Sequence, residues 1–238
     1  KLDRLCRKLN LKESDDILEI GTGWGSFAIH AAKNYGCHVT TTTISDAQFE
    51  YASQKIKEEN LQSKITILNK DYRDLQGKYD KLVSIEMIEA VGEKYLLDYF
   101  KSIKENLAPG GRAAIQSIVI NDGLYDRYRT KEDFIQKFIF PGGFLPSFKS
   151  LKKLSNQSGL EIDKYNLYGQ HYSNTLQKWR NSFLNSWEQI SRQGFNTSFK
   201  KMWDFYFVYC EAGFRERHIG DYQFVFSKPG AREIKINY

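Results

Sequence analysis

Cysteine is scarce in this chain. Its 238 residues hold three, Cys6, Cys37 and Cys210, far apart and odd in number. That argues against a disulfide framework and for a reducing cytoplasm. The four histidines (His30, His38, His171, His218) stand at no metal-ligand spacing with them, so no metal is expected. Long apolar runs are missing too: none approaches the roughly 18 residues of a membrane span. The start, KLDRLCRKLN, has no signal-peptide pattern and no Met, and reads as a fragment or a trimmed chain. No N/D-P-P-Y/F motif is present, and the basic residues are scattered rather than gathered into a stripe. Both facts speak against nucleic acid.

What remains is of globular composition, 41% hydrophobic and 27% charged. Net charge is +6. Small basic clusters, Lys149 with Lys152 and Lys153, and Lys200 with Lys201, read either as solvated surface or as a face for an anionic partner. Aromatic residues reach 15%, many of them after Phe134.

Apolar periodicity predicts a helix over 1–13, a buried strand at 17–20, and a helix ending near Asn34-Tyr35-Gly36. A strand follows over 38–43. Ser45 or Asp46 caps a helix running to about Asn60. Strands at 65–69 and 79–85 precede an amphipathic helix at 95–107, broken by Pro109-Gly110-Gly111, and a strand at 113–120. A short helix at 131–140, a helix at 147–157 and a strand at 161–167 come next. Two helices then intervene, one with Leu176, Trp179, Phe183 and Trp187, the other with Phe199, Met202, Trp203, Tyr206 and Cys210. A last strand at 222–226 precedes a turn at Lys228-Pro229-Gly230. This alternation predicts an α/β fold with a mostly parallel sheet covered on both faces. The ligand site is expected beyond the carboxyl ends of the strands, near the switch point beside the first strand. We read 1–238 as a single domain with a helical, aromatic-rich insertion at about 169–217.

The first strand ends in Gly21-Thr22-Gly23-Trp24-Gly25. This G-x-G-x-G is not the G-x-G-x-x-G of dinucleotide sites. The acid that would hold ribose hydroxyls at the end of the second strand is also missing; Thr40 to Thr43 stand there, then Ser45 and Gln48 as neutral partners. Asp71, Tyr72 and Arg73 follow the third strand, and an acid beside an aromatic ring suits an adenine amine and its face. The fourth strand runs into SIEMIEAVG, which places Glu86 and Glu89 at its end.

The stretches LEIGTGWGSFA, TTISDAQ, DYRDL, SIEMIEAVG, FIFPGGFLPS and AGFRERHIGDYQFVFSKP together resemble the cyclopropane-fatty-acyl-phospholipid synthase family, including the mycolic acid cyclopropane synthases. The resemblance covers nearly the whole chain. It implies a Rossmann-like class I S-adenosylmethionine (SAM)-dependent methyltransferase fold, seven-stranded, with a helical insertion before an antiparallel last strand. It also implies that residues 21–25 pass under the methionine part of SAM, that Thr43, Ser45 and Gln48 serve the ribose region, and that Asp71, Tyr72 and Arg73 border the adenine. Ile85 and Glu86 are placed on the SAM side.

The reaction implied is methyl transfer from SAM to a cis double bond of a phospholipid acyl chain at a membrane surface, with proton loss closing a cyclopropane. A bound bicarbonate is the implied base. Its ligands match Glu89, Tyr172, the backbone N–H of Ile118 and, in place of the family's histidine, Gln116. A carboxylate facing bicarbonate requires a proton on one of the two, so Glu89 is expected to carry or share one. The family's upstream cysteine has no counterpart here. Cys210 matches another family cysteine, although its apolar surroundings favour a neutral thiol. Phe138, Phe140, Phe144, Tyr168 and Tyr172 are candidates to line an acyl channel. The expected location is cytoplasmic with peripheral contact at the inner membrane surface, and a homodimer is among the expected partners. Two alternatives stay open: a small-molecule (amine) methyltransferase and a degenerate SAM-binding module.

Overall fold

The computed structural model describes residues 1–228. In chain order the elements are α1 (Leu2–Leu9), β1 (Asp16–Ile20), α2 (Ser26–Tyr35), β2 (His38–Thr43), α3 (Asp46–Glu58), β3 (Ile65–Asn69), β4 (Tyr79–Ile85), α4 (Leu96–Asn106) and β5 (Leu107–Ile120). There follow α5 (Tyr125–Arg129), α6 (Phe134–Phe138), α7 (Phe148–Ser158), β6 (Glu161–Leu167), α8 (Gly169–Asn185), α9 (Trp187–Ser191), α10 (Thr197–Arg215) and β7 (Ile219–Ser227). The turn expected at Lys228-Pro229-Gly230 runs outside the described residues.

The strands form one seven-stranded sheet in the order β3-β2-β1-β4-β5-β7-β6. The pairs β1/β2, β2/β3, β1/β4 and β4/β5 are parallel. The chain winds outward from β1 to β3, then returns to lay β4 on the other side of β1. Strand order therefore reverses between β1 and β4, and the segments that leave their carboxyl ends flank the crevice such a reversal opens.

Local chemistry explains the elements. β1 is buried at four of its five positions, as a parallel strand covered on both faces must be. α2 turns Phe27, Ala28, Ala31 and Ala32 inward and stops at Gly36, whose φ of 72° lets its N–H reach Ala32 O. Of the two candidate caps for α3, Ser45 is the one used: its hydroxyl accepts the Gln48 N–H. Leu5, Leu9, Ile17, Phe27, Val39 and Val83 belong to one buried cluster. Each such side chain contributes about 2 kcal/mol by leaving water.

Several boundaries differ from expectation. The first helix ends at Leu9, because Asn10 takes a left-handed conformation. Pro109-Gly110-Gly111 does not precede β5 but lies inside it. Tyr79 pairs with Leu107 and Lys81 with Arg112, so the three residues loop out as an irregularity in the ladder. A bulge is where a strand tolerates a proline without N–H. The helix expected over 131–140 is shorter, α6 alone, and α5 precedes it as a separate short helix. Asp133 starts α6 afresh through a capping box with Gln136. Trp187 is not on the helix of Trp179 and Phe183; α8 has ended at Asn185.

The chain divides into two compact units. The first comprises Lys1–Ser117, Ser150–Asn166 and the stretch from Gln223. The second comprises Ile118–Lys149 and Leu167–Tyr222, and so takes in residues 118–149 beside the helices expected over 169–217. Its own core is Leu176, Phe207 and Phe214, with Phe183 and Trp203 packed against them. Among the described residues, no helix is long and apolar enough to cross a membrane.

Candidate active site

In the first unit, the loop after β1 is held by its own backbone. The N–H groups of Gly21 and Thr22 both donate to Thr42 O, at 3.1 and 2.9 Å, and Gly25 N–H donates to Thr22 O at 3.0 Å. Gly21, Gly23 and Gly25 all have positive φ. A Cβ on Gly21 would stand 3.1 Å from Met87 Cγ, and one on Gly25 3.2 Å from Ala52 Cβ. Around Gly23 a Cβ would meet nothing within 4 Å. The loop is thus packed on both flanks and open at its middle, which fits a ligand that needs close backbone approach. Trp24 projects from the loop, edge-on to Tyr51.

Beneath the loop lies a group that the sequence reading did not single out. Glu19, on β1, is 2% exposed. Thr41 Oγ1 donates to Glu19 Oε2 at 2.7 Å and lies 2.7 Å from Thr22 Oγ1. With Thr41's single proton directed to Glu19, Thr22 must donate to Thr41. Burial pushes the Glu19 carboxyl up to about 8, against the lowering effect of the Thr41 hydroxyl. The only signal in the sequence was an acid two residues before Gly21 inside an otherwise apolar strand.

The neighbouring strand ends supply a polar edge. Thr43 Oγ1 donates to Gln48 Oε1 at 2.9 Å and accepts the Ser45 N–H at 3.1 Å. Gln48 is therefore oriented with its amide N–H groups available for donation. After β3, Arg73 grips Asp71 through Nε at 2.9 Å and a terminal nitrogen at 2.7 Å. Those hydrogen bonds hold the Asp71 carboxyl below its usual range, so it stays an acceptor. Tyr72 stands edge-on to Tyr99, their centroids 5.6 Å apart. The donors and acceptors needed around a nucleoside and an aminoacyl chain are present, and SAM fits them.

At the end of β4, Ile85 pairs with Gln116 on β5. Glu86 then takes φ 50°, rare for a residue with a side chain. Its N–H donates to Gln116 O at 2.8 Å, and its Oε1 accepts both Gln116 Nε2 at 2.7 Å and Lys1 Nζ at 2.8 Å. Gln116 in turn accepts at Oε1 from Gln223 Nε2, 2.9 Å away. The expected anion ligand Gln116 is thus locked, its oxygen occupied and its nitrogen turned toward Glu86. Glu89 follows in a single 3-10 turn, Ile88–Ala90, with Oε2 sealed from solvent. Glu89 lies close enough to the buried Tyr99 to influence it. Burial first, then the Glu89 charge, raise the Tyr99 phenol above its ordinary value. Tyr99 therefore stays protonated. The sequence marked it only as one apolar position of an amphipathic helix.

Ile118, Tyr172 and Cys210 belong to the second unit. Ile118 lies on β5 beyond the last residue paired with β4. Tyr172 stacks on Phe214, centroids 4.8 Å apart and planes 20° apart, with Trp179 edge-on at 6.1 Å. Cys210 packs against the core of this unit, and burial, aided by the Asp133 charge, pushes its thiol up to about 12. It is a neutral thiol at physiological pH. Of the acyl-channel candidates here, Phe144 is buried while Phe138 and Phe140 are both more than half exposed.

A family model described as mycolic acid cyclopropane synthetase matches residues 1–224. The tuberculostearic acid methyltransferase of Mycobacterium tuberculosis is 37% identical over 231 residues, 97% of this chain and 54% of that protein. The cyclopropane-fatty-acyl-phospholipid synthase of Escherichia coli is 36% identical over 236 residues, 99% of this chain and 59% of that protein. The chain spans about half the length of these curated relatives. A mycolic acid cyclopropane synthase solved with SAH and CTAB has a TM-score of 0.87 at 23% identity, covering 95% of this chain and 82% of that one. Together with the strand order and the glycine loop, these matches establish that the chain belongs to the mycolic acid cyclopropane synthetase family and has the class I SAM-dependent methyltransferase fold.

Proposed function

We propose that this protein transfers a methyl group from SAM to a cis double bond of an unsaturated phospholipid acyl chain and that loss of a proton then closes a cyclopropane. The observation that carries the reading is the family match over residues 1–224, which takes in residues of both units. Relatives named as lipid methyltransferases, among them the sphingolipid C9-methyltransferases of fungi at 29–31% identity, support a lipid over a small amine.

SAM, when bound, supplies an electrophilic methyl on a sulfonium. The chain's residues hold and orient. Residues 21–25 admit the ligand at Gly23; Gln48 donates toward a ribose, and Asp71 accepts from an adenine amine. An alkene is a weak nucleophile, so positioning and exclusion of water carry much of the rate. A cation develops on the acyl chain as the new bond forms, and aromatic faces suit such a charge. The proton leaves from the transferred methyl. A bicarbonate held at Glu89, which would share a proton with that anion, would supply the base; Gln116, turned to Glu86, would act by fixing that carboxylate. Cys210, a neutral thiol packed on the second unit's core, is assigned no step.

Incubation of the protein with SAM and vesicles of unsaturated phospholipid tests this. The expected product gains one CH2 per acyl chain and shows cyclopropane protons by NMR. A saturated methyl branch or a methyl-bearing alkene would keep the methyl transfer and remove ring closure. No SAM-dependent change in any unsaturated lipid, with intact SAM binding, would end the lipid assignment.

A further inference from the structure

The second unit carries an aromatic layer on its surface. Phe134 on α6 meets Phe205 on α10 edge-on at 4.7 Å, and lies 5.5 Å from Phe138 and 6.1 Å from Tyr209. Phe205 and Tyr209, one helical turn apart, are 5.8 Å from each other. A layer of this kind is normally roofed. Here Phe138 and Phe205 remain 53% and 51% exposed, and Val208 and Tyr209 42% each. Water gains nothing from such a surface, so an exposed apolar cluster of this size signals an occupant.

The surrounding charges indicate which occupant. The Lys137 ammonium stands 5.4 Å above the Phe138 ring. Lys201 precedes Phe205 by four residues, on the same exposed stripe of α10. Two nearby carboxylates have partners. Asp133 accepts the Gln136 N–H at 2.9 Å and the Tyr209 hydroxyl at 3.5 Å, and Asp204 accepts from Arg180 at 2.6 Å. Cores of protein–protein interfaces are depleted in lysine. Aromatic rings flanked by lysines are instead the composition of a lipid–water boundary, where rings settle at headgroup depth and ammonium groups extend to the phosphates.

We infer that the outward face of α6 and α10, centred on Phe138, Phe205 and Val208 and flanked by Lys137 and Lys201, docks the protein on an anionic phospholipid bilayer. The inference rests on the lipid reading above, since it places this face against the membrane that holds the substrate. Docking here is shallow and reversible, aromatic insertion and lysine attraction each supplying part of the affinity.

Sedimentation of the full chain with vesicles tests it, using phosphatidylcholine with and without phosphatidylglycerol at low and high salt. The protein is expected to pellet with the anionic vesicles, less so at high salt. Two variants follow, Phe205→Glu with Val208→Glu, and Lys137→Glu with Lys201→Glu. Each should weaken pelleting by about tenfold. Turnover on detergent-dispersed unsaturated phospholipid should stay unchanged, because none of these residues belongs to the candidate active site. Vesicle binding equal to the unsubstituted protein in both variants overturns the inference. So does a dimer in size-exclusion chromatography that the same substitutions dissolve, since the face would then join two copies. Turnover in detergent without any vesicle binding defeats the docking and spares the proposed reaction. Vesicle binding that the variants abolish, without methylation of any lipid, supports the docking and defeats the reaction.

Discussion

Glu19 offers the sharpest test of the energetics. Its carboxyl is ordinarily half-ionised at 4.5, and burial in the folded chain moves that point to about 8. The folded state therefore binds the proton more tightly than the unfolded state between these values. Stability contributed by neutral Glu19 is fully present below 4.5 and is lost as pH rises through that window. By pH 7.5 the loss relative to pH 5 is about 3 kcal/mol, from about 1.4 kcal/mol per unit of displacement. Glu19→Gln removes the ionisation and keeps the shape, and its amide can still accept from Thr41. The substituted protein should therefore be more stable than the parent at pH 7.5 and nearly equal to it at pH 5. In a chain of this length the difference corresponds to about 10 °C in melting temperature. Thermal unfolding without SAM, at both pH values, is the assay. An equal gain at both, or a loss at pH 7.5, would refute the claim that Glu19 is buried and held neutral.

Three further outcomes follow from the site. Glu86→Gly should be more stable than Glu86→Ala by about 1 kcal/mol in chemical denaturation, because both lose the Gln116 bond but only glycine relieves a φ of 50°. Glu89→Gln should abolish lipid turnover while calorimetry still shows SAM binding; a parallel loss of both would assign Glu89 to the cofactor site instead. Cys210, its thiol pushed up to about 12, should react with iodoacetamide at a rate still rising at pH 10, and Cys210→Ala should retain most turnover; a rate already level at pH 8 would mean a thiolate.

The sequence alone determined the layout. Strand periods and turn residues are local, so β2, β3, β4 and β6 could be bounded to the residue, and the glycine loop could be placed after β1. The family's motifs supplied the expectations for the cofactor residues and for Glu89. Local reasoning failed where the decision was made across the sheet. Pro109-Gly110-Gly111 looks like a helix stop, yet pairing with β4 on either side turns it into a bulge within β5. Glu19, Thr41 and Thr22 are unremarkable apart; only the register of β1 with β2 stacks them into a buried relay. Likewise Gln116 was expected as a ligand of the anion, whereas its place opposite Ile85 and its bond from Gln223, 107 residues away, determine which way it faces. Burial and cross-strand contact are properties of the assembled fold. They decided which acid is held neutral, which glutamine is locked, and which aromatic residues are left facing outward.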